Sequence, residues 1–596
     1  MANKSWTFRV QYDPDNVGII CVSGDCETLG NWCPNNLLRL KLDKATNSWI
    51  GSADIPTDRD VHYRYVLCTF INSSPPKTMI HYWETNLQSR IIQSTSVFKE
   101  SETKVDVFGL SENTKKIENG WLTSDVFVQL SVNRDAIQWQ SPNYQNKKVN
   151  IKLSSALPCD INTGAGCSEV LLSVCEENGR LCKQEENGYA YYKSDSTIFI
   201  TRAFSIDKLG FKIEFVDLEE SEVKKYYSFA VLENKNQNSH GSFTIPIHSE
   251  QREYLGTLSV KYLIIRPTAD LSCKFKVSYA KYWNNSWTGL EIGHRGSGVS
   301  YSKVKEKNAK FRENTIGSFK SAGQCGAHLI EFDVQLTNDL VPTIYHDFHV
   351  LLDVRKKEQM DQNSRKMVFP FHKLRYEELK DFKVHHVNES NLTFSFENDD
   401  QEEYSPFPSL EQVLQAIDPQ IGFNIEIKYN SELMDGSNEL DHPIDMNEYV
   451  DRILKVVYAN AGRRYIVFSS FNPDVCLMAR MKQNKYPVMF LTQGQTKKYP
   501  PYSDHRMSNV ENAVKFANYA DLLGIVAHSE ELLVNYSHVK YVLNNNLVLF
   551  CWGDDNNDEK NICTLREQGV HGIIFDRIDQ YGQKLKKDVF QNVVVN

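Results

Sequence analysis

Four residues, Thr337-Asn338-Asp339-Leu340, constrain the C-terminal half of this chain more than any other feature. From about residue 288, short apolar, β-rich runs alternate with longer amphipathic stretches, the pattern of βα units around a parallel sheet. Nine such runs lie between Leu290 and Phe575, one more than an eight-stranded barrel uses. Parallel neighbours need a crossover of about a dozen residues, and the four between Leu329–Leu336 and Val341–Tyr345 fall far short. The Asn-Asp pair favours a tight turn, so Val341–Tyr345 is expected to come back as a hairpin arm. Eight strands remain, and the predicted fold of 288–596 is an α/β TIM-like (β/α)8 barrel.

The hairpin also concentrates chemistry. Glu331 and Asp333 stand two apart on one strand and face the same side. Antiparallel pairing about Asn338-Asp339 brings His346 roughly opposite Glu331. In such barrels the C-terminal strand ends carry the active site. His294 closes the first strand, and Glu426 lies in the third barrel strand with Lys428 two residues on. Glu331, Asp333 and Glu426 form a hard-oxygen set; crowded without a cation, they would repel and take up protons. One Mg2+ or Ca2+ per barrel suits these donors better than zinc. Arg295 and Lys428 add positive charge for a phosphodiester, and His294 and His346 are placed to exchange protons with nucleophile and leaving group.

Trp552, at a strand end, and Phe348, just past His346, are candidate aromatic faces for a quaternary ammonium group, though each reads first as a packing residue. Gly553–Asp558 is an acidic rim loop, either an attractor of cationic headgroups or a solvated turn. The long charged segment Leu351–Tyr404 is either a lid or an exposed insertion.

The first ~110 residues carry alternating runs such as Trp6–Val10 and Val61–Leu67 between turn residues, the pattern of a β-sandwich. In order along it stand Trp32, Trp49, Tyr63-Arg64-Tyr65, Tyr82-Trp83-Glu84 and Arg90. Over nearly the whole segment this order resembles the starch-binding module, carbohydrate-binding family 20. The resemblance implies that Trp32 and Trp83 form a platform for glucose rings, with Arg64 where a lysine is commoner. Sugar C–H faces pack on aromatic faces; the alternative is that both tryptophans are core. Between 111 and 287, runs such as Val149–Leu153 and Leu258–Ile265 predict a second β-sandwich of unassigned role. The chain is therefore expected to be multidomain, with two N-terminal all-β sandwiches, 1–110 and 111–287, followed by the barrel.

A net charge of -9 argues against a nucleic-acid partner. No stretch approaches the ~18 consecutive apolar residues of a membrane span, and Met1-Ala-Asn-Lys4 opens no signal-peptide run. Thirteen cysteines are scattered along the chain. Cys159, Cys167, Cys175 and Cys182 lack the close pairs of a zinc site. Reduced thiols in a cytoplasmic protein are expected.

Gly293-His-Arg-Gly296, Glu313-Asn-Thr315, Glu331-Phe-Asp-Val334, His346-Asp347, Asn424-Ile-Glu-Ile-Lys428, Phe468-Ser-Ser-Phe471 and Gly569–Asp576 follow in series. That series is similar to the glycerophosphodiester phosphodiesterase family over about 290–590. The resemblance implies that His294 and His346 are the acid/base pair and that Arg295 contacts phosphate. It likewise implies Glu331, Asp333 and Glu426 as metal ligands, and Lys428 as a further active-site residue. A starch-binding module ahead of such a barrel resembles one branch of that family, and this resemblance implies hydrolysis of sn-glycero-3-phosphocholine to glycerol 3-phosphate and choline. Two other readings stay open: lysophospholipase D activity on longer lipids, and a glycan-binding or signalling scaffold with incidental activity.

Overall fold

The structure is a computed structural model. It describes residues 3–12, 18–74, 76–95, 104–140, 142–144, 147–156, 169–174, 179–191, 196–207, 209–217, 224–232, 238–300, 310–354, 365–380, 384–385, 401–441, 443–582 and 589–590. The chain divides into two compact units, Met1–Ser278 with Met481–Lys485, and Tyr279–Arg480 with Tyr486–Asn596.

The N-terminal part of the first unit is a β-sandwich, as expected. Asn3–Gln11 pairs antiparallel with Ser48–Pro56 in one sheet; Ile19–Gly24, Val61–Ile71 and Lys77–Glu84 are neighbours in the other. Alternation sends Phe8, Val22, Tyr65 and Leu67 into one shared core. Ile117–Asn119 still pairs with Lys77–Glu84, so this sandwich runs past residue 110. The stretch from Val126 to Ile265 is also all-β, an antiparallel sheet built around Leu130, Phe199, Phe211, Phe215 and Leu258. Among the described residues neither part contains an α-helix.

The second unit holds the barrel. Its strands are β1 (Leu290–Gly293), β2 (Leu329–Leu336), β4 (Gly422–Ile427), β5 (Ile466–Ser470), β6 (Val488–Thr492), β7 (Gly524–His528), β8 (Val548–Trp552) and β9 (Gly572–Phe575), with β3 (Pro342–Ile344) the return arm. These eight run parallel in chain order, and β1 pairs with both β2 and β9, which closes the ring. Every residue of β2 and β4 is buried, as parallel strands covered on both faces must be.

The return arm pairs antiparallel with β2, Val334 with Ile344 and Leu336 with Pro342. Its turn is closed by the Leu340 N–H donating to the Thr337 carbonyl at 2.9 Å. Extending that register sets His346 opposite Phe332, one residue from its expected position opposite Glu331. Strand β7 starts two residues later than the apolar run Leu522–Val526 suggests. His528, rather than Val526, is therefore at the rim. Helix α1 (Ile316–Gln324), between β1 and β2, is capped by Thr315, whose hydroxyl accepts the Ser318 N–H.

Among the described residues no helix is long and apolar enough to cross a membrane. Cys21, Cys26, Cys68, Cys476 and Cys551 are buried thiols outside any disulfide. Cys159, Cys167 and Cys175 lie outside the described residues, as does most of Leu351–Tyr404.

Candidate active site

The ends of β1, β2, β4 and β9 meet the return arm at one rim. Parallel pairing sets Asp333 beside Glu426, and the two-residue period points Glu331 the same way as Asp333. Glu331, Asp333 and Glu426 are all buried, with one oxygen of each within 4.8 Å of the others. Burial and the Asp333 charge push the Glu331 carboxyl well above the usual range. Burial likewise raises Glu426, against the pull of Lys428, whose Nζ lies 3.3 Å away. Asp333 is held low despite its burial by His346, Arg295 and Lys428, and it accepts a hydrogen bond from Asn314 Nδ2 at 3.0 Å. With burial raising two of the carboxyls beside a charged third, the set is costly to hold ionised without a further positive charge. All-oxygen donors so crowded fit a hard divalent cation.

Arg295 adopts φ +49°, uncommon for a residue with a Cβ. In that conformation its N–H donates to Glu331 Oε2 at 2.9 Å. Its guanidinium donates to Glu313 Oε1 at 2.7 Å and lies 3.7 Å from Asp333. Gly296 follows at φ +93°, where an added Cβ would meet Ser318 Oγ at 2.4 Å. The loop can therefore lie this close to α1 only with glycine.

His294 Nδ1 donates to Asp576 Oδ1 at 2.7 Å, and His346 Nδ1 to Asp347 Oδ1 at 2.7 Å. Both rings thus leave Nε2 outside these bonds, and with side chains 27% and 34% exposed they are reachable. Burial disfavours the charged form of each. For His294 the Asp576 carboxylate outweighs it and lifts the ring to about 9. For His346, Arg295 and Lys428 add to it and depress the ring. The two imidazoles are biased toward opposite protonation states.

Four groups that hold this site were not singled out from the sequence: Asp576, Asp347, Glu313 and Asn314. Each sits inside a motif quoted above, and adjacency to a strand end or to His346 was the available signal. Asp576 is itself fixed from the Gly553–Asp558 loop. Asn557 Nδ2 donates to its Oδ2 at 2.6 Å, and Asn557 Oδ1 accepts its N–H at 2.8 Å. The loop is therefore more than a solvated turn. Phe348 has Lys428 Nζ 5.4 Å from its ring centroid, so a protein cation already lies over it. Trp552 is half-buried at the end of β8, its indole N–H donating to the Thr492 carbonyl at 3.1 Å.

The residues of the expected sugar platform, Trp32, Arg64 and Trp83, are placed in the interior of the first unit. Stacking on glucose needs open ring faces, yet Trp32 is 6% and Trp83 1% exposed. Trp83 packs against Trp121 and Phe275 at centroid distances of 5.6 and 5.5 Å. The Phe275 N–H donates to the Trp32 carbonyl at 3.3 Å. Arg64 is buried and donates to the carbonyls of Glu84, Asn86 and Leu87 rather than facing solvent.

Residues 294–580 match the model of the glycerophosphoryl diester phosphodiesterase family, 126–269 that of the GDE1-like C2 domain, and 5–103 that of the starch binding domain. Glycerophosphocholine phosphodiesterase GPCPD1 of Homo sapiens is 35% identical over 608 residues, covering 95% of this chain and 89% of that protein. The chain belongs to the glycerophosphodiester phosphodiesterase family. The GPCPD1 protein of Rattus norvegicus is 34% identical over the same shares of both chains. Glycerophosphocholine phosphodiesterase GDE1 of Candida albicans is 31% identical over 57% of this chain and 32% of its own length.

In this glycerophosphodiester phosphodiesterase, Asp576→Asn should lower kcat by about 10- to 100-fold, the usual cost of losing a group that orients a site residue. The check is steady-state kinetics beside thermal unfolding. An unchanged kcat would show that His294 needs no such support.

Proposed function

We propose that the barrel, residues 288–596, hydrolyses sn-glycero-3-phosphocholine to glycerol 3-phosphate and choline. The observation that carries this reading is the meeting of three buried carboxylates with two carboxylate-backed imidazoles at one rim. The relatives that share most of the chain's length carry the name glycerophosphocholine phosphodiesterase, which supports the choice of substrate.

Glu331, Asp333 and Glu426 would hold Mg2+ or Ca2+, which supplies positive charge to the phosphate oxygens. Arg295 and Lys428 bring fixed positive charge to the same group. One imidazole takes a proton from the attacking water as its oxygen bonds to phosphorus. The other gives a proton to the choline oxygen as the bond from that oxygen to phosphorus breaks. Because each Nδ1 is engaged by a carboxylate, Nε2 does the transfer in both rings. Asp576 and Asp347 keep the rings oriented through the step.

On this reading the first sandwich, residues 1–110 with the strand Ile117–Asn119, forms a module for a glycogen- or starch-type glycan, and the all-β stretch after it a spacer or interaction domain. A cytoplasmic setting fits the buried thiols.

The test is a product assay on the full chain. With sn-glycero-3-phosphocholine and Mg2+ or Ca2+, free choline and glycerol 3-phosphate should appear in equal amounts, and a chelator should stop their release. No release with either metal sinks the substrate assignment. Faster choline release from lysophosphatidylcholine would favour the lysophospholipase D alternative.

A further inference from the structure

Phe471, Tyr499, Tyr502 and Trp552 meet at the rim beyond β5, β6 and β8. Phe471 stands edge-on to Trp552, with centroids 5.4 Å apart and planes at 83°. Tyr499 lies 5.9 Å from Trp552, tilted by 31°, and Tyr502 continues the wall 6.2 Å from Phe471. Perpendicular rings in contact make a corner rather than a filled core. Three of the four are half-buried, and Tyr499 is 41% exposed.

This corner adjoins the reacting groups. The charges of Arg295 and Asp576 act on the Tyr499 hydroxyl, and that of Glu426 acts on Tyr502. The Tyr502 hydroxyl donates to Glu439 Oε1 at 2.9 Å, which places a carboxylate against the wall. The cations close by are already matched. Lys498 lies 3.8 Å from Asp554 and 3.2 Å from Asp555, and Lys428 lies 3.3 Å from Glu426 and within the field of Glu439.

His528 packs edge-on behind Trp552 at 4.6 Å and is 1% exposed. Its Nδ1 accepts the Glu530 N–H at 3.4 Å, while Nε2 has no hydrogen-bond partner. Burial and the Lys498 charge hold this ring below the usual imidazole value. The backing of the wall is therefore neutral and does not repel a cation.

We infer that this corner is the subsite for a quaternary ammonium group, received on the faces of Trp552 and Phe471 with Glu439 as the carboxylate beside them. The inference deepens the glycerophosphocholine reading and rests on it. A quaternary ammonium has no N–H to donate, so aromatic faces serve it through cation–π attraction. A primary ammonium or a hydroxyl carries N–H or O–H groups that ring faces do not satisfy, and Glu439 already accepts from Tyr502. Phe348, facing Lys428, takes no part.

The experiment compares kcat/KM of the full chain, with its activating cation, on sn-glycero-3-phosphocholine, the ethanolamine diester and glycerophosphoglycerol. Wild type should prefer the choline diester over glycerophosphoglycerol by about tenfold or more. Trp552→Leu and Phe471→Leu should collapse that preference, chiefly through KM. Trp552→Phe, which keeps a ring, should retain most of it, and Glu439→Gln should weaken it. Tetramethylammonium should compete with substrate in wild type, a readout that needs no variant to fold. Equal loss on all three substrates in the leucine variants, no headgroup preference in wild type, or no competition by tetramethylammonium each overturns the subsite and leaves the phosphodiesterase reading standing. Failure to hydrolyse any diester overturns that reading, and the subsite with it.

Discussion

Alanine at His294 or at His346 is expected to lower turnover by about 10²- to 10⁴-fold, the range for loss of a positioned general acid or base. Neither ring is a core residue: the side chains are 27% and 34% exposed. Their principal partners, Asp576 and Asp347, stay in place on the adjoining backbone. The thermal midpoint of each variant should therefore stay close to wild type while product release nearly stops. Steady-state rates measured beside unfolding curves separate the two effects. Near-normal turnover in both variants would remove the histidines from the proton-transfer steps and leave the carboxylates and cations as the whole of the chemistry.

The second large effect lies in the first unit. Trp83→Ala should cost about 3–5 kcal/mol of stability, the range for emptying a buried aromatic site. Its ring fills the space between Trp121 and Phe275, which also touch each other at 5.0 Å. The Arg64 guanidinium lies 5.8 Å from its centroid. Truncation would leave a cavity beneath that buried charge as well as unpaired ring edges. The measurement is a denaturant titration of the full chain read on the earliest transition, since several domains do not unfold as two states. Glycogen retention should fall only together with that transition. If retention is lost while unfolding is unchanged, Trp83 offers its face to sugar in solution and the packing role is wrong.

The barrel was legible because its decisive evidence is local. Four residues are too few for a parallel crossover, whatever surrounds them, and a two-residue period puts Glu331 and Asp333 on one side without knowledge of the partner strand. The register of the arm was off by one because a turn's hydrogen bonds, here closed at Leu340 with φ +62°, are not written in the apolar pattern. The groups that brace the histidines were harder to read. An aspartate after a strand looks the same whether it meets solvent or His294, and Asp576 reaches its partner only when β9 docks on β1. Distance along the chain also hid the state of Trp83. Trp121 and Phe275 are far from it in sequence, and nothing near Tyr82-Trp83-Glu84 distinguishes an open platform from a covered one.

The hairpin of β2 and β3 also bears on the order in which the site comes together. Glu331, Asp333 and His346 lie on one short span whose pairing is local, and hairpins close within about 1–10 μs in isolation. Parallel pairings must wait for the segments that cross between them, so Glu426 arrives later, with β4. The histidine pair is completed last. His294 is held at the seam where its own N–H meets the Phe575 carbonyl at 3.2 Å and its ring meets Asp576. A folding chain would thus gather most of its charge cluster early, yet remain chemically silent until the first and last strands join.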